Sequence, residues 1–207
     1  MTRNPLSRNL PLPTDPLPTL LSPRLALRPL GRDDVDTLYD IFSDPEITRF
    51  WSSPAMTSRG DAEALLAEID DYFERGELME WGLEQRDGHL LIGTCSLWNI
   101  DRDNRRGEIG FALARPAWGQ GYMQEILPVL VEYAITTLGL HRLEADVDPR
   151  NTGSIRLLEG LGFQLEGRLR ERWQVTGEVQ DSLFFGLLAP EWLASERRAE
   201  LLDSPTP

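Results

Sequence analysis

Apolar residues recur along this chain with two periods, and the order in which the periods change defines a fold class. From Arg24 to Leu30, Leu25, Leu27 and Pro29 alternate with Arg24, Ala26 and Arg28, the two-residue period of a strand that Pro29 places at an edge or ends. Val35, Leu38, Ile41 and Phe42 then share a helical face behind a cap at Asp33 or Asp34, closed by Asp44-Pro45 and followed by a short helical turn through Ile47 and Phe50. A longer helix runs from about Ser58 to Arg75, with Leu65, Leu66, Ile69, Tyr72 and Phe73 as its buried stripe and Gly76 as its stop.

Three strands follow at about 80–85, 90–100 and 106–113, the first two joined by Asp87-Gly88, in the manner of an antiparallel meander. Helical spacing returns from Ile126 to Leu138, with Gly139 as the stop and Pro128 as a source of local distortion. A strand at 142–147, a short helix at 152–159 stopped by Gly160 or Gly162, and two strands at 163–173 and 179–188 joined through Thr176-Gly177 complete the order. Strand, helices, three strands, helix, strand, helix, two strands is an α+β arrangement, with no internal repeat.

Six prolines among residues 1–23 predict an extended arm outside the core. The expected domain therefore spans 24–188, and the tail 189–207 reads as one helical turn or two, then disorder. A length of 207 residues suits one core. No apolar run is long enough for a membrane span and no signal segment is evident, so the expectation is a cytoplasmic protein with no membrane partner. One cysteine, Cys95, and two histidines, His89 and His141, supply no disulfide framework and little for a metal site; Cys95 reads as a small buried hydrophobe. A formal net charge of -13 argues against a nucleic-acid partner and favours a cationic one.

The strongest local feature is the run Glu108-Ile109-Gly110-Phe111-Ala112-Leu113 leading into the loop Trp118-Gly119-Gln120-Gly121-Tyr122-Met123, which opens a helix. The first amides of a helix lack internal partners and lie at the positive end of its dipole, so a diphosphate can accept from them where Gly119 and Gly121 let the backbone approach. A bare pair of glycines is weak evidence, but competing motifs fail. The dinucleotide fingerprint needs glycine where Gln124 stands, and the P-loop needs lysine where Tyr122 stands. Glu108 shares its strand face with Gly110 and Ala112, whose small side chains leave room for a ligand. It is a candidate general base; the plainer alternative is a carboxylate paired with Arg105 or Arg106.

Asp148-Pro149-Arg150-Asn151-Thr152-Gly153-Ser154, a helix ending in Leu161-Gly162-Phe163, the opening Arg24–Leu30 and the strand Gly107–Phe111 agree in order and spacing with the glycine loop. Together these segments resemble the GNAT superfamily of N-acetyltransferases, closest to its Rim-type (RimJ/RimL-like) group, over about Arg24 to Leu188. The resemblance implies a single, mixed, mostly antiparallel sheet of about seven strands flanked by helices, with a splayed parallel central pair. It implies acetyl-CoA as co-substrate, with no metal. The backbone of Phe111, Ala112 and Leu113 would pair with the pantetheine arm, and the loop from Trp118 through Gly119, Gln120, Gly121, Tyr122, Met123 and Gln124 would hold the diphosphate. Asn151 caps its helix and by resemblance touches the pantetheine; Arg115, Arg150 and Arg156 are candidates for the adenosine phosphates. A carboxylate base at Glu108 matches the family, while Ser154 can protonate the leaving thiolate or merely cap, with Tyr122 as an alternative acid. Pro116 and Met123 depart from the family pattern.

Eight acidic residues against Arg75 between Asp61 and Glu80 suggest either an acidic rim that attracts a cationic amine or a solvated helix face. The reading is therefore direct acetyl transfer, in a ternary complex, to a primary amine such as a protein N-terminus or a small cationic amine. The alternatives are a catalytically silent acyl-CoA-sensing or partner-binding module and a nucleotide-binding enzyme. The chain is expected as a monomer or homodimer.

Overall fold

The computed structural model describes residues 16–203. Eight strands form one sheet: β1 (Leu20–Leu21), β2 (Leu25–Pro29), β3 (Leu78–Gln85), β4 (Leu90–Asp101), β5 (Arg106–Leu113), β6 (Arg142–Val147), β7 (Gln164–Val175) and β8 (Glu178–Leu188). Their spatial order is β1-β2-β3-β4-β5-β6-β8-β7. Every neighbouring pair is antiparallel except β5 and β6. The fold is the α+β GNAT arrangement, with one strand more than the seven expected.

That extra strand is β1, and it lies in the segment whose prolines had suggested an arm outside the core. Leu17 and Leu20 pack against the main core, the Trp81 indole donates to the Pro18 carbonyl at 2.8 Å, and the Ser22 hydroxyl donates to Glu125 at 2.7 Å. Prolines lack donors but keep their carbonyls, so a proline-rich segment can be pinned by a donor from elsewhere. The expectation for residues 1–15 lies outside the described residues.

Among the described residues seven α-helices flank the sheet: α1 (Val35–Phe42), α2 (Pro45–Thr48), α3 (Arg59–Glu74), α4 (Tyr122–Glu132), α5 (Thr152–Leu161), α6 (Ala189–Ala194) and α7 (Arg197–Asp203). Ile126, Leu127, Leu130 and Leu158 of α4 and α5 bury one sheet face with Ile109, while α1 and α3 cover the other through Leu38, Ile41 and Ala62 against Leu91 and Ala112. The alternation along β5 assigns its residues to the two layers as the sequence pattern requires.

Local chemistry accounts for most boundaries. Asp44 accepts from the Glu46 amide at 2.9 Å and, with Pro45 at the first helical position, starts α2, which ends before Phe50. Asp34 lies in a 3-10 turn and bonds Arg28 and the Gly31 amide instead of capping α1. Tyr72, assigned to the buried stripe of α3, is 40% exposed; Ala62 and Ile69 are that helix's buried residues. Helix α4 runs through Pro128, and its distortion is a π segment five residues later, Tyr133–Thr137. The tail folds back further than expected: Trp192 is buried and donates to Glu132, which Arg198 of α7 also engages. Cys95 is fully buried, which pushes its thiol well up and leaves it inert.

Candidate active site

The parallel pair β5 and β6 is joined for three rows only, Arg106–Arg142, Gly107–Leu143 and Glu108–Glu144. Beyond Glu108, β5 stays registered with β4 as far as Leu113, and β6 with β8 as far as Val147. The two strands therefore part, and the β5 backbone from Ile109 onward offers an unpaired edge to an extended chain. One carbonyl on that stretch is engaged already: Trp118 donates its indole N–H to the Leu113 oxygen at 2.7 Å.

The glycine loop closes the wide end of this wedge. Arg115–Ala117 form a 3-10 turn with Pro116, the departure position, near its start, and the Gln120 side chain donates to the Pro116 carbonyl at 2.7 Å. Gly119 and Gly121 take φ of 72° and 75°, the left-handed region that a side chain disfavours. The first helical bond is Glu125 N–H to the Gly121 carbonyl. The Tyr122, Met123 and Gln124 amides thus open the helix without intrahelical acceptors, as an anion site requires. The Tyr122 and Met123 side chains turn into the core, which is how a large residue fits at 123. The Tyr122 hydroxyl bonds Gln85 and Gln120, so it is occupied away from the cavity described below. These features fit an acyl-CoA: an unpaired strand edge for the pantetheine amides and a helix N-terminus for the diphosphate.

Glu108 sits where the strands part and is 8% exposed. Its carboxylate accepts from the Asn99 side-chain amide at 2.6 Å. The arginine pairing weighed from the sequence does not occur. Arg105 donates to the Gly139 carbonyl at 2.8 Å, and Arg106 bridges Glu144 at 2.8 Å and Asp101 at 3.6 Å. Burial pushes the Glu108 carboxyl up, the nearby Glu144 and Asp146 charges add to this, and the Asn99 bond and Arg106 oppose it. Asn99 reaches Glu108 from a bulge in the β4–β5 register between Trp98 and Asp101, with φ of 51°. No spacing in the sequence marks it; its only signal is that asparagine tolerates such a backbone.

A cavity of about 950 Å³ between the sheet and the α1–α3 layer is lined by Glu108, Phe111, Asn151 and Ser154 together. Asn151 caps α5 by accepting from the Ser154 amide at 3.1 Å, which leaves the Ser154 hydroxyl uncommitted to that cap. Phe50, Trp51, Tyr72, Trp98 and Trp173 contribute aromatic faces, and Glu68, Glu77, Glu80, Asp146, Asp148 and Asp181 contribute further carboxylates. Among the described residues no arginine lines it. Three of the eight acidic residues in the 61–80 segment thus face the cavity. Glu80 was not singled out from the sequence, although it alternates with the buried Met79 and Trp81.

Of the arginines considered for phosphates, Arg150 is committed to Asp148 at 2.7 Å and to Glu178 at 2.7 Å. Arg115 lies 3.7 Å from Asp44, and Arg156 bonds the Thr152 carbonyl. Arg24, 96 residues before the loop, is brought to it instead: it donates to the Gln120 carbonyl at 3.3 Å and lies over the Tyr122 ring.

A wedge between parallel strands, a glycine loop at a helix N-terminus and a carboxylate at the wedge's apex define the acyl-CoA-dependent acyltransferase class. The family model described as an acetyltransferase (GNAT) domain matches residues 24–164, and the chain belongs to that family. An uncharacterized N-acetyltransferase of Bacillus licheniformis is 37% identical over 174 residues, covering 84% of this chain and 98% of the relative. The ribosomal protein uS5 alanine N-acetyltransferase of Escherichia coli is 28% identical over 131 residues, 63% of this chain and 68% of the relative, in keeping with the Rim-type resemblance. The crystal structure of spermidine N-acetyltransferase from Vibrio cholerae in complex with CoA and spermine superposes with a TM-score of 0.74 at 25% identity, covering 82% of this chain and 98% of that one. The protein is an N-acetyltransferase enzyme, and the family uses acetyl-CoA.

Proposed function

We propose that this enzyme acetylates a cationic primary amine by direct transfer in a ternary complex, with Glu108 as general base and Ser154 as general acid. The observation that carries this reading is that both residues line one acidic, aromatic cavity, free of arginine among the described residues, at the point where β5 and β6 separate. Acetyl-CoA supplies the thioester whose acetyl carbon the amine attacks. The unpaired backbone of Phe111, Ala112 and Leu113, with Asn151, holds the pantetheine, and Trp118, Gly119, Gln120, Gly121, Tyr122, Met123 and Gln124 frame the diphosphate, mainly through backbone amides.

An ammonium ion has no lone pair, so Glu108 must take its proton before or as nitrogen bonds to carbon. A carboxyl raised by burial is better matched to that task than an ordinary one. As the carbon–sulfur bond breaks, the Ser154 hydroxyl gives its proton to the thiolate and regains one from the nitrogen, which sheds its second proton as the amide forms. The aromatic walls and surrounding carboxylates favour a cationic acceptor over a neutral one.

Free CoA release with a panel of amines tests the reading. Glu108→Gln should cut kcat/KM by about 100-fold or more, the usual scale of a lost general base, while acetyl-CoA still binds. In the parent enzyme activity should fall as pH drops through the raised Glu108 value, giving an acid limb above the ordinary carboxylate range of about 4.3. Unchanged turnover and pH profile in the variant would remove Glu108 from the mechanism. The chain contains no lysine, so lysine self-acetylation cannot contribute background.

A further inference from the structure

Most buried carboxylates here carry their own counter-ion. Asp34 and Glu84 share Arg28, Glu125 holds Arg24, Glu144 holds Arg106 and Arg142, and Asp148 holds Arg150. Two carboxylates in the cavity depart from this rule. Glu108 bonds Asn99, and Glu80, half-buried on β3, has only the hydroxyls of Thr94 and Ser96 for donors; among the described residues neither forms an ion pair with arginine. A carboxylate withdrawn from water without a counter-charge is costly, and such groups collect where a ligand supplies the missing charge. For Glu108 that ligand is the reacting ammonium. Glu80 has no part in that chemistry.

Strand register places Glu80 relative to Glu108. Glu80 pairs with Ser96, and Ser96 with Gly110; Trp98 in turn pairs with Glu108. Glu80, Ser96, Gly110 and Glu108 therefore share one sheet face, the cavity floor, with the carboxylates two strands apart, roughly 10 Å across the sheet. The floor between them is kept low. A Cβ at Gly110 would meet the Ser96 hydroxyl at 2.6 Å, so a side chain at Gly110 would have to displace that hydroxyl. Both carboxylates line the same cavity, together with Tyr72 and Trp98.

We propose that Glu80 is a specificity-determining residue that binds a second ammonium group of the acceptor, so that the site selects aliphatic diamines or polyamines over monoamines. This rests on the acyl-transfer reading for the identity of the cavity, and its test does not require turnover. Burial raises the Glu80 carboxyl to about 7, against the Thr94 and Ser96 hydrogen bonds, so the group is available in its charged form above neutrality.

Binding of 1,4-diaminobutane, spermidine and n-butylamine at pH 8 and low salt, followed by calorimetry, decides the matter. The diamine or spermidine should bind the parent at least ~10-fold more tightly than n-butylamine, and Glu80→Gln should remove most of that preference while n-butylamine affinity changes little. Glu80→Asp, which keeps the charge, should retain part of it. Equal loss for all three amines, as a purely structural role would give, overturns the proposal. So does a parent that shows no preference, or one that binds a neutral-side-chain peptide N-terminus as tightly as the diamine. Failure of the acyl-transfer reading would appear separately, as diamine binding without CoA release in the parent.

Discussion

At the scale of single residues, Glu80 and Glu108, the cavity-floor carboxylates without an arginine partner among the described residues, should betray themselves by what they cost. Glu80 has a folded value near 7 and an unfolded value of about 4.3. The folded state therefore binds its proton more tightly, and its contribution to stability is fully present below about 4.3 and lost as pH rises through 7. Glu80→Gln carries no such dependence. The variant should melt above the parent at pH 8, and the gain should shrink toward zero by pH 4.5, with each kcal/mol worth about 2–4 °C in a domain of this size. A differential scanning series across that range checks it; a variant that melts lower at pH 8 would show that the Thr94 and Ser96 bonds outweigh the burial. Glu108 was legible in the sequence because it alternates with glycine and alanine on a strand. Glu80 and Asn99 were not, because their meaning depends on cross-strand register and on a bulge, which one-dimensional spacing does not encode.

At the scale of elements, periodicity located β2 to β8 and α1 to α5, since burial on one face is what the pattern records. It failed at the two ends of the described chain for a common reason. Residues 16–23 and 189–203 are attached by a few specific anchors, the Pro18 carbonyl, Ser22, Trp192 and Arg198, and a short anchor produces no period. The N-terminal attachment bears on the site: Glu125 in the first turn of α4 accepts from Ser22, from the Arg24 amide at 2.8 Å and from its side chain at 2.6 Å, and Arg24 reaches on to Gln120. The loop is thus braced from behind as well as set by its glycines. Gly121→Ala would put a Cβ at φ of 75°, a strain of about 1 kcal/mol or more, at the residue that starts α4. The expected outcome is a KM for acetyl-CoA raised about 5-fold or more, with amine KM little changed and modest destabilisation. Equal KM values for variant and parent would mean that the loop backbone does not meet the coenzyme.

At the scale of the whole molecule, the charge balance works in opposite senses on the two substrates. With 34 acidic residues against 21 basic ones, all arginine, the chain repels an anionic coenzyme at long range and attracts a cationic amine. In the proposed site the coenzyme is met by short-range donors: backbone amides at the α4 N-terminus and the open edge of β5. On the same proposal the amine enters a cavity whose carboxylates extend the attraction of the surface inward, Glu68 and Glu77 at the α3 side, Asp181 at the β8 side, Glu80 and Glu108 on the floor. Long-range attraction is screened by salt, whereas hydrogen bonds to a docked ligand are much less so. Raising ionic strength from 0.1 to 1 M shortens the Debye length from about 10 Å to about 3 Å. Steady-state kinetics over that range should show kcat/KM for a cationic amine falling by about 10-fold, with kcat at saturating amine nearly constant. A salt response confined to kcat would place the effect on the chemical step and would argue against the acidic cavity as the amine's route of entry.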